Sequence, residues 1–313
     1  EKAWYEELHS YLDGLDVTWI QVTCNKDILD KREKKLGPRP EGSSSSIQSH
    51  MLEDISYDFK VDSGEDSFET CASKIDEYLK NRHYHGRPSV VWAPLTFPHT
   101  DTKSGTIILL AGTTSAGKST LCTHIQKLIE GPCIQFGIDN SVEMIASKYL
   151  GVPLTKEDIH NFKPRKEQKL GYYLIPPGPS EDNPYEYAIL QIGPLARLIT
   201  TATFYGLKFI ALAGINVVSD QIFAFKDWYL EAKEVFSDIP VLWVSITADR
   251  EKLLEHEKER GDRVPGHTIG LYEQMFKDIP FDVKIDSGKL SPELEARVVI
   301  EKLSDHNSNL NRA

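Results

Sequence analysis

The sequence predicts an α/β fold: a parallel sheet sandwiched by helices, preceded by the C-terminal half of a second copy of the same domain. Three observations predict it. An apolar run, Thr106 to Ala111, leads into Gly112-Thr113-Thr114-Ser115-Ala116-Gly117-Lys118-Ser119, a complete G-x-x-x-x-G-K-[ST] pattern that opens into an apolar-periodic helix from Thr120 to Ile129. Strand and helix patterns then alternate to Leu303, as a parallel sheet covered on both faces requires. Residues 4–80 also repeat residues 228–304 without a gap.

The strand–loop–helix context makes the glycine-rich octapeptide a phosphate site rather than a chance turn. Its glycines let backbone N–H groups face a polyphosphate, and the helix N-terminus adds partial positive charge there. Residues 112–120 are thus expected to bind a nucleotide. Lys118 would reach the β- and γ-phosphates, and the Ser119 hydroxyl would ligate Mg²⁺.

The repeat holds one register throughout. Trp4-Tyr5 matches Trp228-Tyr229, Trp19 matches Trp243, Gly37 matches Gly261, and Asp62-Ser63-Gly64 matches Asp286-Ser287-Gly288, always 224 residues apart. Thr23/Thr247, Leu29/Leu253, Glu33/Glu257, Arg39/Arg263, Gly42/Gly266 and Asp58/Asp282 fall in between. A period this long indicates duplicated domains, since solenoid periods run to about 50 residues. The expected organisation is a partial copy over 1–80, a linker over 81–104, a complete domain over 105–305 and a tail over 306–313. The opening Glu1 and the half-copy predict a longer natural polypeptide, in which a missing front carries its own phosphate-loop position. That front, or a second chain, would complete the half-domain.

Composition narrows the partners. The 313 residues carry a net charge of −11, which argues against nucleic acid or anionic membrane as a partner. No apolar stretch approaches the roughly 18 residues of a membrane span. Cys24, Cys71, Cys122 and Cys133 lack paired-ligand spacing and read as reduced thiols of a cytoplasmic protein. His83, His85 and His99 lie in the linker and are read as solvated rather than metal-bound.

Along the complete copy, Cys133 to Ile138 reads as the second strand, ending in Asp139-Asn140-Ser141, with a helix to about Leu150. Residues 151–186 read as irregular, with Lys156, Lys163, Arg165, Lys166 and Lys169 followed by Pro176-Pro177-Gly178-Pro179. A helix to Tyr205 and a strand from Lys208 to Ala213 follow. Asp227 to Phe236 is a helix, Val241 to Thr247 a strand, and Asp249 to Arg260 a charged helix stopped by Gly261. The last strand is Phe281 to Ile285 and the last helix Pro292 to Leu303.

The phosphate loop, Phe136-Gly-Ile-Asp139, Val241-Leu-Trp-Val244, Arg260-Gly-Asp-Arg-Val264 and Phe281-Asp-Val-Lys-Ile-Asp286, in that order and spacing, resemble the chloramphenicol phosphotransferase-like family of P-loop kinases. The resemblance covers most of 105–304, with a longer insertion at about 151–186, and the first 80 residues resemble the back half of the same domain. It implies ATP-dependent, Mg²⁺-assisted transfer of the γ-phosphate to a hydroxyl of a small-molecule or protein acceptor.

Three residue groups follow from it. Asp139 at a strand's C-terminal end could take the acceptor's proton, or cap the helix that starts near Ser141. Arg260 and Arg263 could bring guanidinium groups to the transferring phosphoryl, or simply end a solvated helix. In the first copy that stretch reads Leu36-Gly37-Pro38-Arg39-Pro40 and is degenerate. The third group is a departure. Relatives carry adjacent aspartates at the end of the third strand, whereas Gly206 to Ile215 places Leu212 and Ala213 there, with Asp220 the next carboxylate. That gap and the degenerate first copy support an alternative, a nucleotide-binding pseudokinase serving as a protein-interaction module. The enlarged basic cap allows a protein acceptor, as for a secreted effector or toxin. Lys163, Arg165 and Lys166 either hold an acidic or phosphorylated acceptor or, the reading that charge runs favour, form a solvated basic loop.

Overall fold

The computed structural model describes residues 5, 6, 8, 9, 12, 15–35, 44, 56–82, 104–151, 162–175, 177, 186–260, 266–275, 277–287 and 289–310. The chain divides into two compact units, Glu1–Thr96 and Phe97–Ala313.

The first unit pairs β1 (Ile20–Thr23) with β2 (Phe59–Asp62) in parallel, joined through α1 (Lys26–Lys35) and followed by α2 (Phe68–Asn81). In the second unit, β3 (Ile107–Ala111) runs into α3 (Lys118–Leu128), then β4 (Cys133–Gln135) and α4 (Ile138–Glu143). An antiparallel hairpin of β5 (Tyr172–Ile175) and β6 (Ile189–Ile192) precedes the long α5 (Pro194–Leu212) and β7 (Asn216–Gln221). Then come α6 (Lys226–Val235), β8 (Val241–Thr247), α7 (Arg250–Arg260), α8 (His267–Gln274), β9 (Val283–Asp286) and α9 (Pro292–Leu310).

Five strands form one parallel sheet in the order β4-β7-β3-β8-β9. Every residue of β3 is buried, and its side chains alternate between the faces as a strand's must. Ile107, Leu109 and Ala111 enter a core with Phe204 and Leu207 of α5 and Trp228 and Tyr229 of α6. Ile108 and Leu110 enter the opposite core, with Leu121 and Ile125 of α3 and Val299 and Leu303 of α9. Leaving β3, the chain first builds β4 and β7 on one side and then β8 and β9 on the other. Its C-terminal end therefore lies at the switch point where such sheets bind ligands.

Several sequence expectations are corrected here. The third strand is β7, not Lys208–Ala213, which is the end of α5 and the turn after it. The helix runs through Gly206 and stops at Gly214, whose φ is +83°. An apolar run after a glycine fits a buried strand as well as a buried helix, so pattern alone cannot separate them. The stretch expected to be irregular contains β5, and its strand partner β6 stands where a helix was expected. The second strand ends at Gln135, and Ile138 already belongs to α4. The last helix continues to Leu310, into the expected tail. At 19 residues, α5 is long and apolar enough to cross a membrane by length and composition, contrary to the sequence reading. Its buried face nevertheless packs into the core, and Arg197 and Lys208 pair with Glu231 and Asp238.

The repeat survives at the level of single hydrogen bonds. Trp19 N donates to Asp58 Oδ2 at 2.7 Å, and Trp243 N donates to Asp282 Oδ2 at 2.8 Å. Ser63 N donates to Thr23 O at 2.8 Å, and Ser287 N donates to Thr247 O at 2.7 Å. Ile20 pairs with Phe59 as Val244 pairs with Val283. The surroundings differ: Val22 is 55 % exposed, while its counterpart Ile246, covered in the five-stranded sheet, is 1 % exposed. The linker histidines lie outside the described residues.

Phe204 is 1 % exposed and meets Phe236 edge-on at 5.7 Å. Replacing it with alanine is expected to cost about 3–5 kcal/mol, read as a lower midpoint in chemical denaturation.

Candidate active site

β3 ends at Ala111, and the phosphate loop turns from it into α3. The turn needs left-handed backbone at Ser115 (φ 62°) and at Gly117 (φ 90°), the N-cap of α3. Thr113, Thr114 and Ser115 are buried, and so is Lys118. Lys118 Nζ lies back across the loop and donates to Thr113 O at 2.8 Å. The loop thus forms as a closed turn with its ammonium inside.

Ser119 Oγ donates to Asp220 Oδ2 at 2.8 Å. Asp220 sits near the end of β7, in register with Leu110 of β3, and is 6 % exposed. The third strand therefore does carry a carboxylate beside the phosphate loop, which corrects the apparent gap at Leu212 and Ala213. Sequence reasoning named Asp220 but missed its strand, because Asn216, Ser219, Asp220 and Gln221 make β7 look like a loop. Space for the carboxylate comes from Gly137, where a Cβ would lie 1.8 Å from Asp220 Oδ1. The glycine of the Phe136-Gly-Ile-Asp139 run is fixed by that close approach.

Asp139 is exposed and lies in the first turn of α4. It is not the N-cap. That position belongs to Gly137, whose N–H donates to Asn140 Oδ1 at 2.8 Å. The capping role weighed for Asp139 thus falls to Asn140, and Asp139 remains a solvent-facing carboxylate after the strand next to β7.

Arg260 closes α7, but its side chain and all of Arg263 lie outside the described residues. The helices flanking them are in contact with the phosphate loop. His256 Nδ1 lies 3.0 Å from Ser115 O. Thr113 Oγ1 donates to Thr268 O at 3.0 Å, and the Ser115 and Thr268 hydroxyls are 3.3 Å apart. Ala116, Ala248 and Leu253 pack beneath. Only the repeat offered a sequence signal for this support, through Glu257.

Of the cap, Lys163, Arg165, Lys166 and Lys169 are exposed, and Gln168 anchors the segment by donating to Leu150 O at 2.8 Å. Lys156 lies outside the described residues. A cavity of about 590 Å³ opens beyond β7, lined by Phe225, Lys226, Leu230, Met275 and Lys277 among others. Burial pushes the Cys122 thiol, inside α3, well above its ordinary range. Among the described residues no group of three or more His, Cys, Asp or Glu side chains could by itself hold a metal. Ser119 and Asp220 are instead a two-oxygen set, which suits a hard cation that takes its remaining ligands from phosphate and water.

A Mycobacterium tuberculosis protein named "putative O-phosphotransferase", matched in two strains, is 26% identical over 183 residues, covering 58% of this chain and 75% of its own length. Similar solved structures include the Mycobacterium tuberculosis APS kinase in complex with AMPPNP and APS (14% identity, TM-score 0.41, 64% of this chain and 99% of that one). A gluconokinase from Sinorhizobium meliloti is likewise similar (14% identity, TM-score 0.41, 67% of this chain and 97% of that one). The family model described as chloramphenicol phosphotransferase-like protein matches residues 1–80 and 105–304, and the chain belongs to that family of kinase-type phosphotransferases.

Proposed function

We propose that the protein transfers the γ-phosphoryl group of ATP to a hydroxyl of a small-molecule or protein acceptor. The observation that carries this is the Ser119–Asp220 hydrogen bond of 2.8 Å beside a closed phosphate loop. A hydroxyl and a carboxylate paired in this way support a Mg²⁺ site of the kind that phosphate-loop enzymes use. The relatives named as O-phosphotransferase and as kinases fit the same reading.

In this reading, backbone N–H groups of residues 112–120 and the N-terminus of α3 hold the phosphates, and Lys118 moves from Thr113 O onto the β/γ oxygens. Ser119 and Asp220 would hold Mg²⁺, which would neutralise phosphate charge when bound. Asp139 accepts the acceptor's hydroxyl proton as that oxygen bonds to the γ-phosphorus and the bond from γ-phosphorus to the bridging oxygen breaks, releasing ADP. Arg260 and Arg263 would stabilise charge on the transferring group. The cavity beyond β7 lies on the C-terminal side of the sheet, where an acceptor would approach. Cys24, Cys71, Cys122 and Cys133 as thiols suit a reducing compartment. A pseudokinase reading drew on the missing third-strand aspartates and on the degenerate first copy; Asp220 beside Ser119 weakens the first of these grounds.

Three outcomes test this. With γ-labelled ATP, Mg²⁺ and an extract split into small-molecule and protein fractions, label should enter one fraction and disappear with Lys118→Ala. Asp139→Asn should lower transfer by about 10²–10⁴-fold while ADP affinity, measured by calorimetry, stays within a few-fold. Gly137→Ala should displace the Asp220 carboxylate, seen as lost Mg²⁺-dependence of ADP affinity; unchanged dependence would remove Asp220 from the metal site.

A further inference from the structure

Glu257 on α7 is 8 % exposed, and both of its carboxylate oxygens accept backbone N–H groups. Oε1 accepts from Thr268 N at 2.7 Å and Oε2 from Gly266 N at 3.0 Å. It thus caps the start of α8, where Gly266 has φ 81° and offers no capping side chain. A buried carboxylate is tolerated because charge-assisted bonds to backbone N–H groups are among the stronger hydrogen bonds. Thr268, 0 % exposed, is the residue whose carbonyl and hydroxyl meet Thr113 and Ser115 of the phosphate loop. The chain of contacts therefore runs from Glu257 through Thr268 to the loop.

The first unit isolates what this carboxylate does by default. Glu33, the repeat partner of Glu257, is 6 % exposed and accepts from Ser44 N and Ser44 Oγ, both at 2.9 Å. Ser44 stands where Thr268 stands in the complete copy. The clamp thus recurs in both units, and in the second its far end touches the phosphate loop. Position 256 has diverged at the same place. His256 reaches Ser115 O, whereas Arg32 donates to Ser63 O at 2.6 Å and to Ser63 Oγ at 3.1 Å.

We infer that Glu257 is a positioning residue for nucleotide binding: through Thr268 it fixes the phosphate loop in its phosphate-accepting shape. The inference rests on the nucleotide-binding reading above and adds to it a residue that touches no nucleotide.

The test uses the full chain and Mg²⁺–ADP by calorimetry. Glu257→Gln keeps the shape but turns an amide N–H₂ toward a backbone N–H, and ADP affinity should fall about 10–100-fold. Glu33→Gln makes the same chemical change in the first unit and should leave ADP affinity unchanged. Thr113→Val removes the hydroxyl bonded to Thr268 O. Combined with Glu257→Gln it should be non-additive by at least about threefold, because both act through one contact. Glu257→Asp, which keeps the charge, should recover part of the loss, and it takes the place of Glu257→Gln in the cycle if that variant does not fold. Wild-type affinity in a folded Glu257→Gln, or strict additivity, would overturn the inference alone. Failure of the wild-type chain to bind ADP would overturn the nucleotide reading and this inference with it.

Discussion

β3 is paired along both edges and buried on both faces, and the rest of the second unit is arranged around that double confinement. A strand with no free edge and no solvent face must be apolar throughout, so Ile107–Ala111 has no polar side chain. It must also leave the sheet at an end, and the chain can change direction only there. The phosphate loop is the exit. Its left-handed turns at Ser115 and Gly117, the return of Lys118 and the start of α3 all follow from carrying a buried strand into a helix within a few residues.

The two strands beside β3 divide the labour. β7 brings Asp220 alongside Ser119, and β8 leads to α7, from which His256 and Glu257 support the loop from outside. Neighbours on opposite edges of one strand thus supply the acid beside Ser119 and the mechanical support. Both are set by register rather than by sequence proximity.

How legible this was depended on the kind of signal. The phosphate loop was legible because glycine, lysine and serine at fixed spacing have few other uses. β8 was legible over Val241–Thr247, its full extent, because β-branched residues fill it between a proline and an acidic helix start. β7 was not, because its buried polar residues imitate a loop while the end of α5 imitates a strand. The role of Gly137 was hidden for a different reason: no single-sequence pattern says that a glycine faces a carboxylate far along the chain. Some of the identities at fixed spacing make the same hydrogen bonds in both units. Asp58 and Asp282 hold the strand N–H groups of Trp19 and Trp243, a task independent of any ligand.

Lys118 bonded to Thr113 O has one more implication. The ammonium already has a partner inside the loop, so a polyphosphate arrives as a competitor for it rather than as the first tenant of a vacancy. Affinity is then a difference between two bonded states of one lysine. A change that strengthens the Lys118–Thr113 bond weakens nucleotide binding without removing any contact to the nucleotide, and selection can tune the site from the side the ligand never sees.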